Sequence, residues 1–477
     1  MVAPLWNELL QHVRRAQGSY HVPGHKQGSV WDRVSYVHFS ALLPFDLTEV
    51  GQLDDLHNPT GVIAEAQALA ACAFAAAHTF FLVGGSTSGN LATLLSLCQP
   101  GDGVLVQRNS HQSVYHGCWL AQATPYPLSV SLDPSTGCEL PLSVDQVEAA
   151  LRTYTNIKVV VVTSPSYDGM VEPIESLAKL CRLHRVLLVV DEAHGAHFGF
   201  HPDLPTWAIQ CGADVVVQST HKMLPSLTMS SMLHLAPSML DRVPVFQRSL
   251  RWVVSSSPSY LLLASLDVAR RYMEEHGQAV LTASLRELGV FRSRLAASSR
   301  FGEFEFPGLR DPYKILLRQE GRDGFSLLRV LQERGCYAEK ATSQYVLLIS
   351  SLAFSSTESA VLWNVLESLP IKDDTGGTVE GGFFVHPGGN TPVVPLALAW
   401  SELRQRSMAW RSLAASVGCV AADFVVPYPP GIPVLLPGER ITPVVVQQMF
   451  DWLAYGGQVR GIRNGGRGSS VSIQVVV

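Results

Sequence analysis

The sequence predicts an α/β protein with a mostly parallel central sheet, helices on both faces of that sheet and a smaller C-terminal α+β domain. Two observations support this class. Five short, continuously apolar runs lie between about residues 61 and 235, and helical segments such as 175–184 separate them. A strand covered on both faces has such a continuous run. Alternation of strands and helices is typical of βαβ units, whose strands run parallel.

Three regions are predicted along the chain. Residues 1–60 show little periodicity and contain turn signals such as Pro23-Gly24, so we expect an N-terminal arm with a short helix. Residues 61–285 form the predicted large domain, and residues 286–477 form the predicted small domain. The predicted strands of the large domain are 80–83, 104–107, 159–163, 187–190 and 215–218.

Other segments have distinct patterns. Residues 260–298 are predicted to form long helices with charged faces. A Gly-rich loop is predicted at 375–391, and a tail rich in Gly and Ser is predicted at 456–470. No internal repeat is found.

Composition points to a small-molecule partner. The chain has 477 residues, of which 47% are hydrophobic and 16% charged. The charged share is below the roughly 25% of typical soluble domains, so we expect subunit association. A formal charge of -5 without a run of Lys or Arg gives no expected binding surface for nucleic acid or an anionic membrane.

The sequence also bears on compartment and metal content. The start has no basic residues followed by an apolar stretch, and the apolar stretch 68–83 is too short to span a bilayer, so we expect a cytoplasmic protein. The eight cysteines are scattered without a C-x-x-C pair, which predicts reduced thiols. His194 and His197 lack the i, i+4 spacing of zinc-binding helices, so no metal site is predicted.

Hydroxyl groups follow the first predicted strand. The segment 84–90 begins with two glycines and contains Ser86, Thr87 and Ser88, and an apolar helical stretch comes next. A loop of this kind at a helix N-terminus can hold a phosphate. An ordinary Ser/Thr-capped helix start is the alternative. A hydrolase elbow is disfavoured, because Thr87 stands where the G-x-S-x-G pattern requires serine.

Ionisable residues follow three further strands. Asp191 comes after an apolar run, where a carboxylate needs a partner such as the protonated ring nitrogen of a cofactor. Lys222 follows the last predicted strand, where desolvation would lower its pKa and allow it to form an imine. His111 follows the second strand and can stack on a flat ring. The alternatives are a structural Asp, a surface lysine and a loop histidine.

The carboxyl ends of strands in open α/β sheets are where ligands bind. A phosphate-binding loop, an acid for a ring nitrogen, a stacking ring and an imine-forming lysine at successive strand ends together predict a pyridoxal 5'-phosphate (PLP) enzyme. No phosphate-binding P-loop motif of the G-x-x-x-x-G-K-[ST] type occurs, which disfavours a nucleotide motor.

The motifs resemble the Orn/Lys/Arg decarboxylases of PLP fold type I, particularly short bacterial members related to arginine decarboxylase. The resemblance covers most of the chain and rests on segments near both ends. The matching segments are 20–26, 53–57, 85–90, 107–113, 164–169, 191–198, 218–222, 427–433 and 437–439.

The resemblance implies an aspartate-aminotransferase-like fold and roles for individual residues. Lys222 would carry PLP as a Schiff base, Asp191 would bind the pyridine nitrogen, and His111 would stack on the ring. Ala193 and His194 would line the pocket, although His194 stands where longer members have an aromatic residue. The resemblance also implies a homodimer or larger homo-oligomer. Residues expected to contact or border the phosphate are Ser86, Thr87, Ser88, Ser219 and His221.

The activity implied is decarboxylation of a basic amino acid to a polyamine-pathway amine and carbon dioxide. Arginine is the leading substrate, and lysine and ornithine remain open. An acid must bind the distal cationic group, and the candidates are Asp54, Asp55 and Glu439. The alternatives are a PLP aminotransferase or other lyase on the same fold, and a non-catalytic binding protein with a PLP fold.

Overall fold

A computed structural model describes residues 1–133, 139–305, 308–370, 392–454, 456–463 and 471–477. The Gly-rich loop predicted at 375–391 lies outside the described residues, as does the 464–470 part of the predicted tail.

Fifteen α-helices are present in the described part of the chain. Four short 3-10 helices occur at Lys26–Gly28, Leu43–Phe45, Pro237–Arg242 and Ala414–Ser416, and a π-helical turn occurs at Met273–Gly277. The α-helices are α1 Pro4–Arg15, α2 Arg33–Phe39, α3 Val62–Ala73, α4 Gly85–Leu97, α5 Gln112–Ala121, α6 Val144–Thr153, α7 Ile174–His184, α8 Thr220–Met223, α9 Val243–Val253, α10 Tyr260–Tyr272, α11 Gln278–Ala296, α12 Gly324–Glu333, α13 Ser356–Ser368, α14 Trp400–Leu403 and α15 Pro443–Ala454.

Sixteen strands are present in the same residues. They are β1 His78–Leu82, β2 Gly103–Gln107, β3 Thr124–Leu128, β4 Ile157–Thr163, β5 Leu187–Asp191, β6 Val215–Gln218, β7 Ser231–Leu235, β8 Phe301–Glu303, β9 Lys314–Gln319, β10 Lys340–Ala341, β11 Val346–Ile349, β12 Met408–Ser412, β13 Val426–Tyr428, β14 Gln458–Arg460, β15 Ile462–Arg463 and β16 Ser472–Val476.

The chain divides into two compact units that are each discontinuous in sequence. The first unit contains residues 1–97 and 187–281, and the second contains 98–186 and 282–477. Each unit combines two segments that are far apart in the sequence, whereas the predicted domains are continuous. The predicted boundaries at 60 and 285 are therefore not tested and stay a prediction.

In the first unit, four strands lie in the order β1-β7-β6-β5. β5 and β6 are parallel, whereas β7 is antiparallel to β6 and to β1. β1, β5 and β6 therefore point the same way, and their carboxyl ends lead into the segments that begin at 83, 192 and 219. Branched side chains such as Val215, Val216 and Val217 are fully buried, as the continuous apolar runs predicted.

In the second unit, β4, β2 and β3 form three parallel strands, and β3 lies at the end of this order. A second sheet has the antiparallel order β10-β11-β9-β8. The chain near the C-terminus forms the pairs β12·β16, β16·β15 and β13·β14 over a separate apolar core that includes Val425, Val445 and Met449.

All five predicted strands exist, with ends that differ by up to two residues, and residues 61–285 contain two further strands, β3 and β7, that were not predicted. β3 contains Pro125 and Pro127, which remove ladder donors and are tolerated at a sheet edge. β7 begins at Ser231 and runs antiparallel to its neighbours β1 and β6. The predicted long helices at 260–298 are present as α10 and α11, which the π-helical turn joins.

The first 60 residues contain more structure than the predicted arm with one short helix. α1 packs against α3 and α10 and buries Leu5 and Leu9 completely. Among the described residues, none of the helices combines the length and the apolar character that a membrane crossing requires.

Asp267 of α10 caps the N-terminus of α1, which has no side-chain cap of its own. Its Oδ2 accepts hydrogen bonds from the backbone N–H groups of Leu5, at 3.0 Å, and Trp6, at 3.3 Å. Its Oδ1 accepts from Arg270 Nη2 at 2.6 Å, and the same Nη2 donates to Val2 O at 2.7 Å. A buried ion pair therefore satisfies the free donors at the start of α1.

Asp267→Ala is expected to lower the free energy of unfolding by about 2 kcal/mol, because α1 loses its cap while Arg270 keeps its ion pair with Glu274. Urea unfolding followed by circular dichroism measures this change. The matched control is Asp203→Ala, whose side chain is 79% exposed, and for which a change within about 0.5 kcal/mol is expected. Equal effects of the two substitutions would contradict the capping role.

Candidate active site

Asp191, the last residue of β5, is a buried carboxylate in the first unit. Its side chain is 2% exposed. Asn90 Nδ2 of α4 donates to Oδ2 at 3.0 Å, and the Ala193 N–H donates to Oδ1 at 3.2 Å. Burial raises the pKa of Asp191, whereas the positive charge of Lys222 and the two amide donors act in the opposite direction. A cationic N–H group placed beside this carboxylate would stabilise its ionised form.

Lys222 lies in the one-turn helix α8, close to His194. Its Nζ is 3.1 Å from His194 Nε2. In this helix Thr220 and Met223 face the interior, whereas Lys222 is exposed in the single chain. The predicted desolvation of Lys222 is therefore not supplied by the rest of the single chain, and it stays a prediction for the protein with cofactor and partner subunit. Proximity to Asp191 and His194 is what distinguishes this lysine from a surface lysine.

The N-terminus of α4 presents hydroxyl groups to the same unit. The helix begins at Gly85, so Ser86, Thr87 and Ser88 lie in its first turn and not in the loop that the sequence predicted. The first-turn N–H groups have no acceptor within the helix. Ser219 Oγ donates to Ser86 Oγ at 2.8 Å, which brings the residue after β6 to this helix end. Ser88 Oγ instead donates to the Gly85 carbonyl at 2.8 Å.

Gly89 allows α4 to approach the strands closely. A Cβ at this position would come within 2.7 Å of Val217 Cγ1 and 2.8 Å of Leu82 Cδ1. A larger residue would push the helix away from β1 and β6. The glycine therefore fixes the position of the first turn, and with it that of Ser86.

His221 borders this group of residues. Its Nδ1 lies 2.9 Å from the Ser230 carbonyl oxygen, and since a carbonyl only accepts, Nδ1 carries the proton. Burial lowers the pKa of His221, and the charge of Lys222 lowers it further. A neutral His221 therefore offers Nε2 as an acceptor.

Together these residues of the first unit make up the candidate site. A helix N-terminus with hydroxyls suits an anionic group. The buried carboxylate suits a protonated ring nitrogen, and an accessible lysine amine suits attachment to a carbonyl. Asn90 belongs to a motif that the sequence identified, but its contact with Asp191 was not predicted.

His111 lies in the second unit, directly before α5. Its Nδ1 is 2.8 Å from Ser113 Oγ and accepts from the Ser113 N–H at 3.2 Å, so the side chain caps the helix. A Cβ at Gly431 would lie 2.9 Å from His111 Nε2, and the Gln112 N–H donates to the Gly431 carbonyl at 3.0 Å. The imidazole is thus held against the segment that includes Gly431.

Glu439 is a candidate acid for binding the distal cationic group of the substrate. In the second unit it forms an ion pair with Arg108. Its Oε2 accepts from Arg108 Nη2 at 3.0 Å and from the Leu436 N–H at 2.8 Å. Arg108 also donates to the carbonyls of Pro433 and Val434. The Arg108 and Glu439 side chains are 0% and 2% exposed. The pair therefore joins the end of β2 to the segment 433–439.

The other two candidate acids lie before α3 in the first unit. Asp54 accepts from five backbone N–H groups, those of Asp55, Thr60, Gly61, Ile63 and Ala64. Partial burial opposes ionisation of Asp54, yet the backbone donors lower its pKa below the ordinary value. Asp55 is exposed, and its Oδ1 accepts from the His57 N–H at 2.8 Å. Asp54 thus organises the turn that carries Asp55.

Comparison with solved structures identifies the class of this fold. A crystal structure of the Francisella novicida lysine decarboxylase LdcF matches with a TM-score of 0.83 at 20% identity, over 100% of this chain and 81% of that one. The predicted class, the aspartate-aminotransferase-like α/β fold with a large, mostly parallel sheet and a C-terminal domain, is confirmed.

The chain belongs to the Orn/Lys/Arg decarboxylase family. The model of the family's major domain matches residues 3–306, and that of its C-terminal domain matches residues 389–459. An arginine decarboxylase of Bacillus anthracis is 33% identical over 92% of this chain and 90% of its own length. The protein YaaO of Bacillus subtilis is 36% identical over 97% of this chain and 96% of its own length. The predicted resemblance is confirmed.

Proposed function

We propose that the chain is a PLP-dependent decarboxylase that converts a basic amino acid into the corresponding amine and carbon dioxide. Arginine is the leading substrate, with lysine and ornithine as alternatives. The observation that carries this proposal is the grouping, in one compact unit, of buried Asp191, the Lys222–His194 pair and the hydroxyl-bearing N-terminus of α4. Family membership supports it, as does the name of the arginine decarboxylase among its relatives.

The residues of the site fit PLP. Ser86, Thr87 and Ser219 would hold the phosphate at the start of α4, with Ser88 and His221 beside it. Asp191 would accept a hydrogen bond from the ring nitrogen, and Lys222 Nζ would bond to the aldehyde carbon. When bound, PLP supplies an electron sink for the pair of electrons that decarboxylation leaves on the α-carbon.

The side chains of the site have separate tasks in the reaction. Asp191, when ionised, keeps a proton on the ring nitrogen, and Asn90 keeps the carboxylate oriented. Lys222 and His194 hold a proton between Nζ and Nε2, from which it can be returned to the α-carbon in place of the carboxyl group. Ala193 would line the pocket, and its N–H donates a hydrogen bond to Asp191.

His111 and the acid for the distal group are assigned by the resemblance. We propose that His111 stacks on the cofactor ring, and loss of cofactor affinity in His111→Ala would support that role. Among the candidate acids, Asp55 is the exposed one. Glu439 is buried and pairs with Arg108 through Oε2, although its Oε1 has no hydrogen-bond partner in the described residues. Asp55 is therefore proposed to bind the distal group, whereas Asp54 and Glu439 position their segments.

A homodimer or larger homo-oligomer is proposed as the working assembly. Apolar side chains of the segment 20–42 are exposed in the single chain, among them Tyr20, Val34 and Val37, which are 97%, 78% and 71% exposed. A second copy that covers this segment would remove apolar surface from water. A monomer mass in light scattering would contradict the assembly.

We also propose a cytoplasmic location for the protein. Cell fractionation tests this location.

Product analysis tests the proposed reaction. Purified protein with PLP is supplied separately with arginine, lysine and ornithine, with glutamate as the control, and carbon dioxide and the organic product are measured. Agmatine, cadaverine or putrescine with an equal amount of carbon dioxide would support decarboxylation. A keto acid would support the aminotransferase alternative. Cofactor binding without any product would support the non-catalytic alternative.

A further inference from the structure

We propose that four buried side chains of the first unit, Thr79, His234, Gln218 and Glu192, form a directional hydrogen-bond chain that positions Asp191 and Lys222. The proposal rests on the proposed function in one respect, since it takes these two residues as the cofactor site. None of the four side chains is among the residues assigned to the cofactor or the substrate, so they are proposed as positioning residues.

The hydrogen-bond chain runs without a break across β1, β7 and β6 to Glu192, the residue after β5. The distance from Thr79 Oγ1 to His234 Nδ1 is 2.8 Å, and that from His234 Nε2 to Gln218 Oε1 is 3.1 Å. Gln218 Nε2 donates to Glu192 Oε2 at 2.6 Å, and the Ala208 N–H donates to Glu192 Oε1 at 2.8 Å. Each of the four side chains is 1% or 2% exposed. A buried polar group without a hydrogen-bond partner is energetically costly. The need to keep these hydrogen bonds therefore strongly constrains the positions of the four side chains.

An ionised Glu192 fixes the direction of every hydrogen bond. A carboxylate only accepts, so the amide nitrogen of Gln218 must face it and the amide oxygen must face His234. His234 Nε2 must then carry the imidazole proton, which leaves Nδ1 to accept from the Thr79 hydroxyl. Burial lowers the pKa of His234 to about 3, which agrees with the neutral ring that this arrangement needs.

Thr79, Gln218 and His234 lie on strands of the first unit, and Glu192 lies directly after one. Glu192 follows Asp191 directly. Gln218 is the last residue of β6, and Ser219 and the helix with Lys222 come next. Thr79 lies on β1, which leads to the N-terminus of α4, and His234 pairs with it in register on β7. The side-chain bonds therefore fix how far each of these strand ends reaches towards the site.

A polar network that only satisfied the core would affect stability alone. A positioning network should also change cofactor affinity and the imidazole tautomer when its direction is changed. Glu192→Gln is the substitution that separates the two roles. The amide oxygen of the new side chain accepts from the backbone N–H of Ala208, so its NH2 group faces Gln218, whose amide must turn over and present its oxygen. His234 must then donate from Nδ1 to the Thr79 hydroxyl.

The tautomer of His234 is measured by NMR on the cofactor-free protein with 15N-labelled histidine, and His234→Gln assigns the signals. Burial raises the pKa of Glu192 to about 8, so spectra are recorded above that value. The expected result is an Nε2–H ring in the wild-type protein and an Nδ1–H ring in Glu192→Gln. An Nδ1–H ring in the wild type, or the same tautomer in both proteins, would overturn the proposed direction.

Cofactor affinity is measured by titration with PLP. Glu192→Gln and Thr79→Val are each expected to weaken binding about tenfold, and Thr79→Ser, which keeps the hydroxyl, is expected to restore it. Glu175→Gln is the matched control, because Glu175 is exposed and pairs with Lys179. Wild-type affinity in both Glu192→Gln and Thr79→Val would overturn the positioning role. If the wild-type protein bound no PLP, the proposed function would fail, whereas the tautomers would still decide the direction of the chain.

Discussion

Lys222→Ala should reduce kcat/KM for decarboxylation by at least about a thousandfold, because it removes the amine that bonds to the cofactor and exchanges a proton with His194. PLP should still bind to this variant through the helix N-terminus and Asp191, but with weaker affinity. Carbon dioxide release measures the loss, and absorbance near the visible band of the cofactor imine measures the missing covalent bond.

The control for this substitution is Lys179→Ala. Lys179 is an exposed lysine on α7 that pairs with Glu175, and its removal should leave activity and cofactor absorbance unchanged. A small added amine such as methylamine should restore part of the activity of Lys222→Ala. The same amine should restore no activity to a heat-inactivated sample of that variant. If Lys222→Ala kept a tenth or more of the wild-type activity, Lys222 would not be the lysine that bonds to the cofactor.

Arg108→Met is expected to lower the free energy of unfolding by about 3–5 kcal/mol, since it leaves the Glu439 carboxylate buried without its cation. Arg108 also holds the carbonyls of Pro433 and Val434, so the segment near Gly431 and His111 should become less ordered. Urea unfolding measures the change in stability, and hydrogen exchange of the segment 427–439 measures the change in order.

The double variant Arg108→Met with Glu439→Leu distinguishes a buried ion pair from simple packing. Replacing both charges with apolar groups removes the unpaired charge, so the double variant should recover most of the stability that either single variant loses. Additive losses from the two single substitutions would show that the charges do not interact. In that case Glu439 would again be available as a substrate ligand.

The sequence predicts strands with continuous apolar runs better than strands that break this pattern. β6 matches its prediction residue for residue because Val215, Val216 and Val217 are buried on both faces. β3 was missed because two prolines normally argue against a strand, and only its place at the end of the strand order allows them. The local sequence pattern does not show whether a strand lies at the edge or in the middle of a sheet.

The positions of candidate side chains were predicted where these side chains follow a strand end, and less well where they depend on contacts with residues distant in the sequence. Asp191 is the buried last residue of β5, and Lys222 on α8 is close enough to interact with its charge. The partner of Glu439 could not be predicted, because Arg108 is 331 residues away in the sequence. The exposure of Lys222 was also missed, because it depends on which face of a one-turn helix is buried.

Chemical trapping of the cofactor on the protein tests the central claim most directly. The purified protein is incubated with PLP, reduced with borohydride, digested and examined by mass spectrometry for the residue that carries the pyridoxyl group. We expect one dominant modified peptide, with the group on Lys222. Modification spread over surface lysines, or absent from Lys222, would contradict the account of this site.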